Sequence, residues 1–470
     1  MRYRVAVVAA LVAAPAFGQA DRYETGRHLH AFEVAWDAHD TDKAAKKRAA
    51  PLVNQAMQSF LKFNLPDVAR SLDAARHALE SADPVPAAVR WADSLRIVPE
   101  ARMVDVATAD VAITVKPFYK TDAEAPKSCV LRARIANGKS VETNLDSLPT
   151  TLKVPIKDVP GRPSAEFVLT AEVVADGKVL ATKTTGVSRI EKLAERVEAI
   201  KKLGKDLPAS PDTIEKATLA LLVKQVADLS AGTVAETDYP LSRFVAGAER
   251  LAKVTEPYYI AKRPGDFWLS VPTGKAQTVI RIRVPEKLEE RKDVPILLAL
   301  HGMGGSENLY FDAYGNGIVA KLAAERGWLV VSPRVSGLLG GPAPDVPAIL
   351  DELIKRYPID PKRVFLIGHS MGAAHVVQLA QKHPGRFAAV AALGGAERLT
   401  KPESLKGLPV FVGCGKLDFA LPGAKSLHTA LEEAKAAVTF REYDDIEHLT
   451  VVREAAADVF KFFDGVAKKN

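Results

Sequence analysis

Cysteine is nearly absent from this chain, which has two in 470 residues, Cys129 and Cys414. The two lie far apart, in segments assigned below to different domains, so we do not expect a disulfide between them. The cysteines therefore do not indicate whether the protein is exported, and other parts of the sequence must indicate it. Cys414 lies within an apolar run, and we interpret it as a packed thiol of the core.

A strong excess of one charge is also missing, since 64 Lys and Arg oppose 57 Asp and Glu. With 47% hydrophobic and 26% charged residues, the composition is that of a globular protein and excludes general disorder. The densest basic run, "KAAKKRAA" from Lys43, has a helical pattern without interleaved aromatics. We interpret it as a solvated helix face and expect no nucleic-acid partner.

Long hydrophobic runs do not occur after the first twenty residues, so we expect no stable membrane insertion. Those twenty, "MRYRVAVVAALVAAPAFGQA", place Arg2 and Arg4 before a short apolar run and end in small residues. This pattern predicts a signal peptide over residues 1–20, with cleavage near Ala20 and an exported protein, periplasmic or secreted. The alternative is an ordinary N-terminal helix.

The length exceeds what one compact core accommodates, so we expect several domains. In residues 21–104 apolar residues recur at three- and four-residue spacing, which predicts a helical region, and no catalytic signature occurs there. Residues 105–187 alternate in short runs, and Asn137-Gly138 and Asp176-Gly177 suit two-residue hairpin turns, which predicts a small antiparallel β-sandwich.

Residues 188–260 return to helical patterns, and Ser188 and Glu191 form a predicted capping box at the first helix. We expect these helices to pack with those of residues 21–104 and to form a common support or linker. Internal repeats of the solenoid or propeller type are missing. The sequence does not predict what the sandwich does or how many copies associate.

The segment 261–470 begins with a predicted β-hairpin and continues with apolar runs that alternate with helical stretches. The runs are "VPILLALHG", "WLVVSPRV", "RVFLIGHS", "RFAAVAALGG" and "LPVFVGCG". Strands that are apolar on both faces predict a mostly parallel sheet covered by helices on both sides. Ligands of such α/β folds bind at the carboxyl ends of the strands.

One of these runs ends in "GHSMG", which matches the G-x-S-x-G nucleophile motif at Ser370. Gly368 and Gly372 allow strand and helix to approach closely there, and the helix dipole favours negative charge near its start. Ser370 is therefore a candidate nucleophile.

A serine hydroxyl needs a base, and the base needs an orienting carboxylate. The order serine, acid, histidine points to Asp418, after the next-to-last strand, and His448, after the last. Asp444 and Asp445 are the competing acids. His301, His369, His383 and His428 fit the position of the base less well.

The glycine-rich segment "HGMGG" follows the first buried strand. An oxyanion needs two backbone N–H donors, which we assign to Met303 and Met371. Gly302 and Gly304 are alternatives for the first donor. Neither a phosphate-binding loop nor a dinucleotide fingerprint accompanies the segment, so we expect no cofactor and no metal.

The segments "LHGMGGSENLYFDAYGNGIVAKLAAERGWLVVSPR", "YPIDPKRVFLIGHSMGAAHVVQLAQKHPGRFAAVAALGG" and "IEHLTVVREAAADVFKFF" cover nearly all of this domain. On them, residues 265–470 resemble an α/β-hydrolase of the esterase and prolyl-oligopeptidase-like group, close to feruloyl-esterase-like and dienelactone-hydrolase-like sequences. The resemblance implies the same triad of Ser370, Asp418 and His448.

The resulting expectation is an exported serine hydrolase that cleaves small-molecule or carbohydrate-linked esters through an acyl-enzyme. The alternatives are a prolyl-oligopeptidase-like serine peptidase and a binding protein with a vestigial hydrolase fold. The loop "SGLLGGPAPDVP", residues 336–347, is expected to overhang Ser370, with Leu338 and Leu339 lining an acyl or aromatic pocket. The alternative is an ordinary connecting loop.

Overall fold

The computed structural model describes residues 19–274, 276–335 and 343–468, which begin with four helices. These are α1 (Gln19–Ala38), α2 (Lys43–Leu61), α3 (Leu65–Glu80) and α4 (Ala87–Asp93). The side chains of Asp42 and Asn64 accept hydrogen bonds from backbone amides of the first turns of α2 and α3 and so cap both helices. In the basic run of α2, Lys46 is buried, whereas Lys43, Lys47 and Arg48 are exposed.

Two antiparallel sheets follow and share one apolar core. One contains β1 (Leu95–Pro99), β3 (Asp110–Pro117) and β6 (Thr150–Pro155). The other contains β2 (Met103–Asp105), β4 (Val130–Ile135), β5 (Val141–Asn144), β7 (Ala165–Ala175) and β8 (Lys178–Ile190), with β2 as a parallel edge strand. The predicted start at residue 105 is too late, because the buried alternate residues of β1 already belong to this core.

The two predicted hairpin turns differ. Asp176 and Gly177 both have positive φ, 50° and 70°, and join β7 to β8 as expected. Between β4 and β5 it is Ala136 that has positive φ, 45°, and the connection is longer than two residues. Asn137-Gly138 therefore does not form the predicted two-residue turn.

The predicted capping box at Ser188 is wrong. Ser188 lies in β8, where its amide donates to the carbonyl of Arg102 at 2.7 Å. The helix begins later, and the Asp105 carboxylate accepts a hydrogen bond from the Leu193 amide at 2.7 Å. Pairing with β2 keeps the chain extended through the predicted cap, so the cap comes from a residue far away in the sequence.

Three helices connect the sandwich to the last domain, namely α5 (Leu193–Lys205), α6 (Ile214–Ser230) and α7 (Leu241–Leu251). Their apolar faces share a core with the hairpin β9 (Gly265–Thr273) and β10 (Ala276–Val284). The expectation that they pack with the N-terminal helices is therefore wrong. An amphipathic face shows that a helix is covered, but it does not identify the covering element.

The last domain is built on an eight-stranded sheet of order β16-β15-β14-β13-β11-β12-β10-β9, parallel from β16 to β12. Its remaining strands are β11 (Val294–Leu300), β12 (Leu329–Pro333), β13 (Ile359–His369), β14 (Ala389–Leu393), β15 (Pro409–Gly415) and β16 (Ala437–Tyr443). Its helices are α8 (Leu309–Asp312), α9 (Tyr314–Glu325), α10 (Val346–Ile354), α11 (Met371–Lys382), α12 (Leu421–Glu433) and α13 (Val451–Ala467). This is the mostly parallel sheet, covered by helices, that the alternating apolar runs predict.

The sheet separates two cores, as β11 illustrates. Leu298 and Leu300 face the core that contains α5 to α7, whereas Leu297 and Ala299 face a core that contains α1 to α3, α9 and α13. The two helical segments thus lie on opposite faces of one sheet. Within the described residues no helix is both long and apolar enough to span a bilayer.

Candidate active site

Ser370 lies at a strained turn between β13 and α11, with φ 56° and ψ −116°. The turn is possible because of the flanking glycines. A Cβ on Gly368 would overlap the carbonyl of Gly372, and a Cβ on Gly372 would overlap the carbonyl of Leu300. Strain of this kind costs free energy and presents the hydroxyl at the carboxyl edge of the sheet.

The structure brings Ser370, His448 and Asp418 together. Oγ of Ser370 lies 3.0 Å from Nε2 of His448. Nδ1 of His448 lies 2.9 and 3.0 Å from the two carboxylate oxygens of Asp418. A base within hydrogen-bond reach of a hydroxyl, oriented by a carboxylate, is the arrangement that activates a serine.

Asp418 is buried, and burial alone would raise the pKa of its carboxyl. Hydrogen bonds from His448 and from the amide of Ala420 outweigh this effect and hold the pKa below its usual range. Of the competing acids, Asp444 is exposed and pairs with Lys416 at 2.6 Å. Asp418 is thus the carboxylate that meets the histidine.

His369, which the sequence reasoning set aside as a candidate base, supports His448 instead. Its Nε2 lies 3.0 Å from the carbonyl of His448, and its Nδ1 lies 2.8 Å from the hydroxyl of Tyr314. Burial and then the neighbouring His448 lower the pKa of His369 to about 3, so the imidazole is neutral. Because a carbonyl only accepts, Nε2–H donates to His448 and Nδ1 accepts from Tyr314.

The hydroxyl of Tyr314 has one proton, which it gives to His369, so its oxygen accepts from the Gly302 amide at 3.2 Å. The chain Gly302, Tyr314, His369 and His448 thereby links the glycine-rich loop to the backbone of the histidine. It also occupies the amide of Gly302, which was one of the alternative oxyanion donors. No sequence pattern connects Tyr314 to His369, since 55 positions separate them.

His301 holds the other side of this loop. Its Nε2 accepts from the Val335 amide at 3.0 Å, and its Nδ1 lies 2.8 Å from the carbonyl of Gly302. Burial lowers the pKa of His301 to about 4, so this imidazole is neutral as well. Met303 follows Gly302, the glycine that these hydrogen bonds hold in place. Met371 begins α11, where the first backbone amides have no acceptor within the helix.

The candidate site opens into a cavity of about 690 Å³. One wall contains Ser370, His448 and the glycine-rich loop, and the opposite wall comes from α1, α2 and α3. The sequence also predicts that the loop 336–347 overhangs Ser370. Residues 336–342, with Leu338 and Leu339, lie outside the described part of the chain.

Both cysteines are buried and free. Cys414 lies in β15, where burial raises the pKa of its thiol, as does the neighbouring Asp418. A thiol held in its neutral form is a poor nucleophile.

Residues 295–413 match the family model described as the alpha/beta hydrolase fold. Over 113 residues the chain is 35% identical to NocK of Nocardia uniformis subsp. tsuyamanensis, a protein named as an esterase, which covers 22% of this chain and 33% of that protein. Over 141 residues it is 30% identical to the bifunctional acetylxylan esterase/xylanase XynS20E of Neocallimastix patriciarum, which covers 28% of this chain and 20% of that protein.

The chain thus spans a third or less of the length of these curated relatives. A solved ferulic acid esterase matches 44% of this chain and 99% of its own at 18% identity and a TM-score of 0.37. The strand order, the family model and the curated relatives agree on one assignment. The C-terminal domain has the α/β-hydrolase fold and resembles the esterase-like group of proteins with that fold.

Proposed function

We propose that this protein is a serine hydrolase that cleaves carboxylic esters through an acyl-enzyme on Ser370. The observation that supports this most directly is the hydrogen-bonded series from Ser370 through His448 to Asp418, at the floor of a cavity. The relatives named as esterases point to the same reaction class.

In the first half of the reaction, Oγ of Ser370 attacks the ester carbonyl while Nε2 of His448 takes the hydroxyl proton. The buried Asp418 stabilises the imidazolium that forms. The amides of Met303 and Met371 donate to the oxyanion of the tetrahedral intermediate. When the intermediate collapses, His448 returns its proton to the alcohol, which leaves.

In the second half, water loses a proton to His448 and attacks the acyl-enzyme carbonyl. The second intermediate releases the carboxylic acid and restores the Ser370 hydroxyl. No step needs a metal or an organic cofactor to balance. The substrate we propose is a small or carbohydrate-linked ester, in line with the acetylxylan and ferulic acid in the relatives' names.

We also propose that the protein is exported to the periplasm or secreted. The support is the basic and apolar pattern of residues 1–20. Expression of the full chain in a bacterial host, followed by fractionation and N-terminal sequencing, tests this. A cytoplasmic protein that retains Met1 would contradict export.

A fluorophosphonate probe tests the nucleophile. We expect the wild type to be labelled and the Ser370→Ala variant to be unlabelled, and equal labelling would overturn the assignment. Labelling of neither would favour the binding-protein alternative. Turnover of p-nitrophenyl acetate and methyl ferulate is then compared with that of proline-peptide anilides, and a clear preference for anilides would favour the peptidase alternative.

A further inference from the structure

The N-terminal helices α1 to α3 form a roof over Ser370, although they lie far from the hydrolase domain in the sequence. They supply the apolar part of the cavity wall, and the side chains concerned are Leu29, Met57, Phe60, Leu65, Val68 and Leu72. An enzyme that accommodated only a short acyl group would not need such a surface beside its nucleophile.

The ring of Phe60 in α2 lies against the glycine-rich loop. It packs on Gly304, so that a Cβ built on this glycine would lie 2.7 Å from Cζ. Gly304 adjoins Met303, whose amide we assign to the oxyanion. A substrate whose carbonyl reaches that amide therefore lies beside the Phe60 ring.

The roof is fixed to the hydrolase domain by polar contacts. Arg22 of α1 donates to the carbonyl of Gly304 at 2.8 Å. Trp36 and Lys46 each donate to the carboxylate of Glu454 in α13, both at 2.8 Å. Glu33 is buried and accepts from the amide of Gly315 at 3.3 Å. These contacts hold the roof against the hydrolase domain.

The charges around the cavity favour an uncharged ligand. Arg22 pairs with Glu236 at 3.1 Å, and Arg27 pairs with Asp238 at 3.3 Å. The described lining residues therefore offer no unpaired arginine to a substrate carboxylate. Burial lowers the pKa of His30, which favours its neutral form.

The mouth of the cavity is apolar as well. Leu61 and Phe419 line it and yet are 43% and 55% exposed, so they mark its opening. The Phe419 ring lies 4.4 Å from that of His448. Apolar side chains that are exposed together at the edge of one cavity are typical of a ligand-binding surface.

We propose that the roof binds an uncharged apolar group of the ester, and that the ring of Phe60 is the main contact of that group beside the nucleophile. This inference rests on the proposed esterase function and adds the substrate class, namely esters with a sizeable apolar acyl or alcohol part. A volume of about 690 Å³ lies within the range of about 300–1,000 Å³ that is common for small-molecule sites.

The test uses the full chain and two series of esters. In one series p-nitrophenyl acetate, butyrate and octanoate vary the acyl group, and in the other the acetates of ethanol, butanol and octanol vary the alcohol. We expect the wild type to prefer the longer member of one series, which identifies the side that the roof binds. For Phe60→Ala, we expect the long-to-short ratio of kcat/KM in that series to fall about tenfold or more.

Phe60→Trp should also lower the ratio, by filling the space that the apolar group occupies. Because Phe60 is only half-buried, these variants should fold, which circular dichroism verifies. Phe63→Ala, at an exposed aromatic residue that does not line the cavity, is the matched control and should keep the wild-type ratio.

Unchanged ratios in both Phe60 variants, or a wild type that prefers acetate in both series, would overturn the roof's role and leave the esterase function standing. A wild type that hydrolyses no ester of either series and is not labelled by the fluorophosphonate would instead overturn the proposed function itself.

Discussion

The hydroxyl of Tyr314 and Nδ1 of His369 lie 2.8 Å apart and join the loop after β11 to the backbone of His448. Tyr314 begins α9 and His369 ends β13, so their hydrogen bond joins a helix to a strand. Neither side chain takes a proton from the substrate in the reaction proposed above. We infer that they position the glycine-rich loop relative to His448.

Tyr314→Phe should therefore reduce kcat by about tenfold and change KM by less than about twofold, because the loop is less well placed in the transition state. Loss of the hydroxyl leaves Nδ1 of His369 unpaired, so we expect the free energy of unfolding to fall by about 1–3 kcal/mol. Steady-state kinetics and urea unfolding measure the two effects. Tyr443→Phe is the control, because its hydroxyl contacts Asp458 at 3.0 Å, and it should reduce stability without changing kcat.

Replacing the acid of the triad should be far more damaging. In Asp418→Asn the amide no longer stabilises the imidazolium of His448, and we expect kcat for p-nitrophenyl acetate to fall by about 10³–10⁴-fold. Asp444→Asn is the matched variant, since this carboxylate is exposed and pairs with Lys416, and its kcat should equal that of the wild type. A large loss in Asp444→Asn with little loss in Asp418→Asn would reverse the assignment.

Glu33 should make the protein less stable as the pH rises. Burial raises the pKa of its carboxyl from 4.5 to about 8. Between these values the unfolded chain has lost a proton that the folded protein keeps, so the free energy of unfolding falls with pH across this window. Each unit of pKa difference corresponds to about 1.4 kcal/mol.

Glu33→Gln removes this titration. Urea unfolding at pH 5 and pH 8 should show that the wild type loses more stability than this variant over that interval. Glu195→Gln, at an exposed position of α5, should behave as the wild type does. Parallel losses in the wild type and Glu33→Gln would show that the Glu33 carboxyl ionises normally in the folded state.

Two glycine replacements should act in opposite directions. Gly372→Ala places a methyl group on the carbonyl of Leu300, so we expect it to destabilise the turn at Ser370 and abolish fluorophosphonate labelling. Normal labelling of Gly372→Ala would mean that the turn tolerates a side chain.

The methyl group of Gly465→Ala in α13 meets no atom within 4 Å, and this variant should raise the free energy of unfolding by about 0.5–1 kcal/mol.

The sheet around Ser370 could be predicted because its signals are local. A run such as Val294–Leu300 is short and apolar at every position, as a strand covered on both faces requires. The series of Ser370, Asp418 and His448 followed from chain order, because parallel strands bring their carboxyl ends to one edge. The β-sandwich could also be predicted, although the sequence pattern places its first strand, which begins at Leu95, in the preceding helical region.

What could not be predicted depends on contacts between distant segments. The apolar residues of α2 predicted a covered helix, and nothing in them indicated that Phe60 would lie over Gly304. Ser188 has the spacing of a capping box, yet pairing of β8 with β2 outweighs that local preference. Tyr314 and His369 are joined by a hydrogen bond between residues 55 positions apart, and no periodic pattern in the sequence indicates such a contact.

The contact of Trp36 with Glu454, 418 positions further along the chain, bears on how the protein is made. The roof is synthesised long before its attachment point in α13, so a chain emerging from the ribosome has no enclosed cavity until α13 is complete. Ester turnover would then begin only when synthesis and folding of this region are finished. If the exported protein folds only after it has crossed the membrane, hydrolysis starts on the far side and spares the esters of the cell that makes it.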